Sequence, residues 1–263
     1  MDYHVITRER HGLKRWSNQS GYSFAAADSL CPLIAQELSK AVHALPIGFV
    51  AEGEGFVLVA VQGLTPGKNV LVDPDGRWLP AYIPAAYRGY PFALAAQQGG
   101  DKVLCFDEAS GLLSDDAGEL FFNEDGSPSQ STLKLLDFFQ QVEANRQQTQ
   151  KICALLQQHG LIQPWPITVE REQGTQSVEG LFRIDEAALN TLSAEALVEV
   201  RDAGGLAVAY CQLLSMQHLP NLEQLAQTHA EVEKARAVHA SQAKAGDLDL
   251  GFMSDSGTFS FGN

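Results

Sequence analysis

Short apolar segments separated by turn residues fill the first half of the chain, a pattern that is typical of β-strands. The segments 46–52 and 55–64 flank a glycine-bearing turn, and the segments 91–97 and 102–108 flank a second glycine-rich connection. Each pair predicts an antiparallel hairpin. Before them, residues 31–45 carry six apolar residues at helical spacing, and the sequence therefore predicts a helix that Pro46 ends.

Helical spacing dominates from residue 131 onward. Ser and Thr side chains in SPSQST can cap a long helix around 132–159, which a glycine then ends. Its middle, 143–151, is almost wholly polar, which predicts that this part projects past the core or packs on a partner. A hairpin follows, and then a series of further helices: 185–192, 193–203, 205–219 and 221–244. The third of these is apolar nearly all round, so we expect it to be buried.

These elements predict an α+β fold. An antiparallel sheet portion occupies the N-terminal half, and the helix-rich C-terminal half contains the long helix around 132–159. Residues 1–245 are predicted to form a single α+β domain, with a subdivision near residue 128 left open. Residues 246–263 form an acidic tail that contains aromatic residues.

Charge and composition narrow the function classes. The chain has 263 residues and a formal net charge of −14, from 18 Lys and Arg against 32 Asp and Glu. Such a surface repels nucleic acid and anionic lipid, so we expect no nucleic-acid partner. No apolar run is long enough to span a membrane or to serve as a signal peptide, and the expected location is the cytoplasm, with signal-independent export left open.

Motifs of common enzymes are missing from the sequence. The four cysteines are isolated, and the seven histidines match no metal-binding spacing, so no metal ligand is assigned. Phosphate loops, dinucleotide-binding glycine motifs and nucleophile elbows are also missing, so no cofactor and no catalytic residue are assigned. The acidic turn DPDG at 73–76 departs from the calcium-loop pattern and is predicted to be an ordinary turn.

The stretch WLPAYIPAAYRGYPFAL, residues 78–94, is the strongest candidate for a binding surface. Its aromatic rings combine apolar bodies with polar tips, and its one charged side chain could stack on a ring or hold a carboxylate. The candidate residues are Trp78, Tyr82, Tyr87, Arg88 and Tyr90. The alternative is a stiff connector whose rings fill the core, and both interpretations stay open.

The C-terminal tail supplies a second group of candidates. Phe252, Phe259 and Phe261 stand among glycines and acidic residues that cannot form a core by themselves. We expect these rings to act as anchors, either on a partner or over the surface at 78–94.

The run NVLVDPDGRWLPAYIPAAYRGYPFAL, residues 69–94, resembles the signature block of the SapC family. Further matching segments follow in the same order, among them LCFDEASGLLS (104–114), LIQPWPITV (161–169) and VEGLFRIDEAALNTL (178–192). One departure is Gly89, where the family pattern leads us to expect a second basic residue. The family is named after a bacterial surface-layer locus, and its members also occur near TonB-dependent receptors, halogenase-like proteins and cupin-like oxygenases. The resemblance implies an accessory role and transfers no catalytic residue.

Three functional hypotheses follow. The first is a non-catalytic binding or adaptor protein for a peptide or partner protein, accessory to surface-layer, nutrient-uptake or protein-modification systems. The second is an enzyme of unfamiliar type that uses Arg88 with Asp107 and Glu108 on a small carboxylate or peptide substrate. The third is a structural subunit of a surface assembly. Self-association through the long helix or the tail is also open.

Overall fold

The structure is a computed structural model that describes residues 2–96, 102–171 and 174–245. Its strands, in chain order, are β1 (Tyr3–Val5), β2 (Arg15–Trp16), β3 (Leu30–Pro32), β4 (Ile47–Glu52), β5 (Gly55–Val61), β6 (Phe92–Ala96), β7 (Lys102–Asp107), β8 (Leu113–Ser114), β9 (Glu119–Leu120), β10 (Ile162–Pro164), β11 (Ile167–Arg171), β12 (Gly174–Val178) and β13 (Leu181–Ile184). Its α-helices are α1 (Arg8–His11), α2 (Leu38–Ala41), α3 (Ala85–Arg88), α4 (Gln130–Gln158), α5 (Glu186–Asn190), α6 (Ala194–Asp202), α7 (Gly205–Ser215) and α8 (Leu219–Ala245). The predicted α+β class, the antiparallel N-terminal sheets and the long helix are confirmed.

The largest sheet has the strand order β10-β13-β4-β5-β3 and is antiparallel throughout. The predicted hairpin forms its centre, with Ile47 opposite Ala60 and Glu52 opposite Gly55. Strand β13 comes from the C-terminal half and pairs with β4. The two halves of the chain therefore share one sheet.

A second, smaller core lies beside this sheet. The strands β1, β7 and β6 form one sheet and β8, β2 and β9 form another. The predicted pairing of 91–97 with 102–108 is confirmed as β6 and β7. Four buried aromatic rings fill the space between the sheets, and the N-terminal part of α4 packs against them: Trp16, Phe92, Phe106 and Phe121.

The helix predicted over 31–45 is shorter than expected. Residues Leu30–Pro32 form β3 at the edge of the large sheet, and Ala35–Glu37 form a 3₁₀ turn before α2. The free edge of β5 offers hydrogen bonds to this segment, and the Leu33 N–H also donates to the Leu58 carbonyl oxygen at 2.9 Å. Tertiary pairing thus overrides the helical spacing of the apolar residues.

The polar middle of α4 does not project past the core. The Ala35 N–H donates to Thr149 Oγ1 at 2.8 Å, and the Gln36 N–H donates to Asn145 Oδ1 at 3.1 Å. These two N–H groups begin the 3₁₀ turn Ala35–Glu37, where no backbone acceptor precedes them. The polar side chains of α4 therefore fix the position of this turn.

Helix α7 is not buried on all sides, contrary to the expectation from its apolar sequence. Val208, Ala209 and Gln212 face the core, but Tyr210 is 49% exposed and Leu214 is 63% exposed. The large sheet and the neighbouring helices cover one face, and the opposite apolar face remains open. Within the described ranges, no helix combines the length and the hydropathy of a membrane span.

Candidate functional site

Prolines keep the stretch 78–94 from forming a long helix or strand, because a proline has no backbone N–H to donate. A single helical turn, α3, begins directly after Pro84 and carries Tyr87 and Arg88. The chain then enters β6. The short helix places its side chains between the large sheet and α4.

The polar atoms of the rings in this stretch are bonded within the chain. Trp78 Nε1–H donates to the Tyr82 carbonyl oxygen at 2.8 Å, and the Tyr87 hydroxyl donates to Gln62 Oε1 at 2.8 Å. Tyr87 is buried, and burial raises the pKa of its hydroxyl. The rings of Trp78 and Tyr87 also meet edge to face, with their centroids 5.7 Å apart. These contacts fix both rings within the fold.

Tyr90 is also held internally. Its hydroxyl donates to Asp107 Oδ2 at 3.3 Å, and its ring stacks on Phe24 with the centroids 3.8 Å apart. Burial raises the pKa of Tyr90 to about 12, so the hydroxyl keeps its proton. Tyr90 therefore joins the β6–β7 sheet to the loop before β3.

Arg88 remains partly open to solvent, with 46% of its side chain exposed. Its guanidinium carbon lies 5.9 Å from the centroid of Tyr82 and 5.6 Å from that of Phe138 on α4. One terminal nitrogen, Nη2, is 3.7 Å from Glu37 Oε2. Within the chain, Arg88 thus lies near two aromatic rings and forms a loose ion pair with one carboxylate.

Glu37 is the buried carboxyl group of this region and is only 5% exposed. Its Oε2 accepts hydrogen bonds from the Ala85 N–H at 3.0 Å and the Tyr82 hydroxyl at 3.2 Å. In the part of the chain that the structure describes, its Oε1 has no hydrogen-bond partner. Burial raises the pKa of Glu37, while the donors on Oε2 and Arg88 act in the opposite direction.

A cavity of about 240 Å³ lies beside Glu37. It is partly open and is bordered by the segment before α2, by β5, by α3 and by the middle of α4. Its wall is mainly hydrocarbon, with these apolar residues: Pro32, Leu33, Ile34, Phe56, Val57, Leu58, Ala85, Ala86 and Val142. Glu37, Glu52 and Arg146 are its charged lining residues.

The wall of the cavity includes one thiol. Cys153 lines it, but burial raises the pKa of this thiol to about 12. Because the thiolate is the reactive form, Cys153 is unreactive at neutral pH. Arg146 is held by the Glu143 carboxylate, with nitrogen–oxygen distances of 2.7 and 2.8 Å.

Asp107 and Glu108 have partners other than Arg88. Asp107 is buried and accepts a hydrogen bond from the Asp2 N–H at 2.6 Å. Glu108 is bound by both Nε and Nη2 of Arg10, and this contact lowers the pKa of Glu108. The carboxylate that Arg88 contacts is Glu37.

Sequence reasoning missed Glu37, although a signal was present. In the helix predicted over 31–45, Glu37 falls at helical spacing from Leu33, Ile34 and Ala41, on the apolar face. A carboxylate on an apolar face is unusual because burying it without partners is costly. The other predicted anchors, Phe252, Phe259 and Phe261, lie outside the described residues.

The SapC family profile matches residues 6–222. The chain belongs to the SapC family. The matched span contains Glu37, Arg88 and Cys153, and with them the whole cavity. No curated protein shows significant similarity to this SapC chain, and no solved structure does.

Proposed function

We propose that this SapC protein is a non-catalytic binding protein that captures a peptide or partner protein. The observation that supports this most is the apolar cavity beside Glu37, whose carboxyl group has one oxygen without a partner. Its volume of about 240 Å³ lies below the roughly 300–1,000 Å³ of pockets for drug-sized ligands. A single side chain of a peptide, or a small molecule of similar size, suits this volume.

The exposed part of the site belongs to the same stretch as the predicted surface. Arg88 and Ala86 are exposed on α3, and Ala86 lines the cavity. A bound peptide would cross α3 and place one side chain in the cavity. Trp78, Tyr82, Tyr87 and Tyr90 would act as scaffold beneath it, since their polar hydrogens are already bonded within the chain.

A random peptide library tests this proposal. Peptides are selected on the wild-type protein and then measured against Ala86→Trp, in which an indole on an exposed position closes the cavity. We expect selected peptides to share one anchor side chain and to bind the variant at least about tenfold more weakly, as the loss of a central anchor would require. Selected peptides that bind both proteins equally, or a selection that yields no binder, would contradict the proposal.

The enzyme hypothesis receives less support. It requires Arg88 to act with Asp107 or Glu108, and these carboxylates are bound by Asp2, Tyr90 and Arg10 instead.

The structural-subunit hypothesis is favoured by one observation, the exposed apolar face of α7. Tyr210 and Leu214 would then form a contact between subunits. Sedimentation velocity over a range of concentrations tests it. An open-ended series of larger species, lost in Tyr210→Ser/Leu214→Ser, is the result expected for an assembly subunit. Identical sedimentation of the two proteins would exclude this role for α7.

A further inference from the structure

Strand β3 covers only part of the outer edge of β5. The Leu33 N–H, just after β3, donates to the Leu58 carbonyl oxygen at 2.9 Å. Two residues further along, the same antiparallel register would place Ala35 opposite Phe56. The chain instead leaves the sheet, and the Ala35 N–H donates to Thr149 Oγ1 at 2.8 Å. In the described part of the chain, no strand therefore lies beside Phe56 at this edge.

The backbone of Phe56 points toward this open position. In an antiparallel sheet, alternate residues of a strand bond to the neighbour on each side. The Val61 N–H donates to the Pro46 carbonyl oxygen at 2.8 Å, which assigns the odd-numbered residues of β5 to the β4 side. Leu58 bonds on the other side, and Phe56 shares its orientation. Among the described residues, no group bonds to the Phe56 N–H or carbonyl oxygen from that side.

This free edge borders the apolar cavity. Phe56, Val57 and Leu58 all line it. The Glu54 carbonyl oxygen, at the end of the hairpin, accepts from the side chain of Gln157 at 3.0 Å. The free N–H and carbonyl oxygen are thus those of Phe56, and water or a ligand has to satisfy them. A ligand with one donor and one acceptor at the spacing of a peptide backbone would satisfy both.

The charged groups at the cavity balance one another. Three carboxylates and three cations line it or pair with groups that line it: Glu37, Glu52, Glu143, Arg88, Arg146 and Lys102. Arg88 pairs with Glu37, and Lys102 shares Glu143 with Arg146. The rest of the wall is mainly hydrocarbon, and a charged ligand group would lose its hydration there at a high cost. The wall therefore favours an uncharged, apolar side chain.

We infer that the cavity binds an extended peptide segment, one residue of which pairs with Phe56 as a short strand. That residue donates its N–H to the Phe56 carbonyl oxygen, accepts from the Phe56 N–H and takes the position that Ala35 leaves open. An uncharged apolar side chain of the segment, such as that of leucine, lies against the hydrocarbon wall. Apolar cavities on the order of 150 Å³ hold a benzene ring, so a cavity of about 240 Å³ has room for such a side chain. The inference rests on the proposed binding function and specifies the chemistry of its ligand.

Backbone ester scanning of a peptide selected on the wild-type protein tests the pairing. Each residue is replaced in turn by its α-hydroxy acid counterpart, which exchanges the N–H for an oxygen and keeps the side chain. We expect one position at which this change weakens binding at least about tenfold, because it leaves the Phe56 carbonyl oxygen without a donor. The other positions should change binding by less than about threefold.

The amide proton of Phe56 gives a second measurement, on the protein itself. We expect saturating selected peptide to move the NMR signal of this proton downfield, because the N–H gains a hydrogen bond. Val57 is the matched control in the same strand, since its N–H faces β4. Its signal should move less than that of Phe56.

Two small probes with the same backbone test the side-chain preference. N-acetyl-leucine methylamide and N-acetyl-lysine methylamide are titrated separately into the full chain, and amide signals of the cavity wall are followed by NMR. We expect the leucine compound to bind at least about fivefold more tightly, because the ammonium group of the other would lose its hydration against hydrocarbon.

The outcomes separate the inference from the proposed function. Selected peptides that tolerate every ester substitution, or that leave the Phe56 amide proton in place, would overturn the strand pairing. If Ala86→Trp still weakens their binding, the proposed function stands. A leucine compound that binds no more tightly than the lysine compound would overturn the apolar anchor. A library that yields no binder would contradict the inference and the proposed function together.

Discussion

At residue 37, burial and hydrogen bonding act in opposite directions on one carboxyl group. Burial raises the pKa of Glu37, and the donors on Oε2 oppose that shift without cancelling it. The folded chain therefore binds this proton more tightly than the unfolded chain does. Between the ordinary value of 4.5 and the raised pKa, the folded state holds more protons, so this group lowers the free energy of unfolding as the pH rises.

Glu37→Gln is expected to remove that dependence. The glutamine does not titrate. The free energy of unfolding of the variant, relative to that of the wild type, should therefore increase as the pH rises above about 4.5. Urea denaturation at pH 4, 5.5 and 7 measures the difference between the two proteins. A difference that stays constant over this range would contradict a raised pKa at Glu37.

Gly89 shows a constraint that the family resemblance did not reveal. A Cβ atom at this position would overlap the ring of Phe139 on α4, and the backbone there has φ of −85°, which any residue can adopt. The ring of Phe139 thus accounts for a glycine where a second basic residue was expected. The reason is packing between α3 and α4.

Gly89→Ala is expected to destabilise the protein by about 1–3 kcal/mol, the usual cost of overpacking. Combining it with Phe139→Leu should recover part of that loss, and chemical denaturation measures both variants. Gly55→Ala is the matched control, because a Cβ there would meet its nearest neighbour only at 4.0 Å. An unchanged stability in Gly89→Ala would contradict the close contact.

Sequence reasoning at the residue scale identified Arg88 and the rings around it but not the group that organises them. The stretch 78–94 was conspicuous because its aromatic residues and prolines are local in sequence. Glu37 lies 45 residues before Tyr82, its hydrogen-bond partner. Only the tertiary fold brings these two together, so no local pattern could connect them.

At the scale of elements, the polar middle of α4 acts as an acceptor for another segment. Thr149 is buried, accepts from the Ala35 N–H and donates to the Asn145 carbonyl oxygen at 2.8 Å. The sequence predicted the helix itself from its caps and spacing. It could not predict the use of the polar face, because the acceptors serve N–H groups that lie more than one hundred residues earlier.

Thr149→Val is expected to lower the free energy of unfolding by about 1–3 kcal/mol, since it leaves the partly buried Ala35 N–H without its acceptor. Thr228→Val on α8 is the control: Thr228 makes the same kind of bond to the carbonyl oxygen of Gln224 but is exposed. Its effect should stay within about 0.5 kcal/mol. Equal effects of the two substitutions in urea denaturation would show that the Thr149 contact contributes no stability of its own.

Helix α7 illustrates the limit of hydropathy as a guide to burial. An apolar helix is buried only where other elements cover it, and α7 is covered on one face alone. Its core face carries Gln212, which accepts from the Ile184 N–H at 2.9 Å and donates to the Ile47 carbonyl oxygen at 3.1 Å. The polar residue of α7 is thus buried, and Tyr210 and Leu214 are exposed.

At the scale of the molecule, the halves on either side of residue 128 are joined in three ways. Strand β13 completes the large sheet beside β4, α4 packs on β5, and α7 bonds to β4 through Gln212 and Ser215. The sequence predicted the α+β class because each hairpin and helix has local signals. The pairing of β13 with β4 brings together strands that are far apart in sequence, and no turn sequence specifies that pairing.

Residues 1–128 produced alone are expected to show no cooperative unfolding transition. Without β13, α4 and α7, the fragment would expose the sheet face that buries Phe49 and Leu58. Thermal and urea unfolding followed by circular dichroism, with the full chain as reference, test this expectation. A transition in the fragment as steep as that of the full chain would show that the N-terminal half folds independently.

The central claim is that the cavity beside Glu37 is the binding site of this protein. It is tested most directly by NMR titration of the full chain with a peptide selected on the wild-type protein, with Ala86→Trp as the control. We predict that saturating peptide shifts the amide signals of residues in the cavity wall, among them Leu33, Ile34 and Val57, and that Ala86→Trp reduces these shifts. Saturating peptide that leaves these signals unchanged would contradict the account.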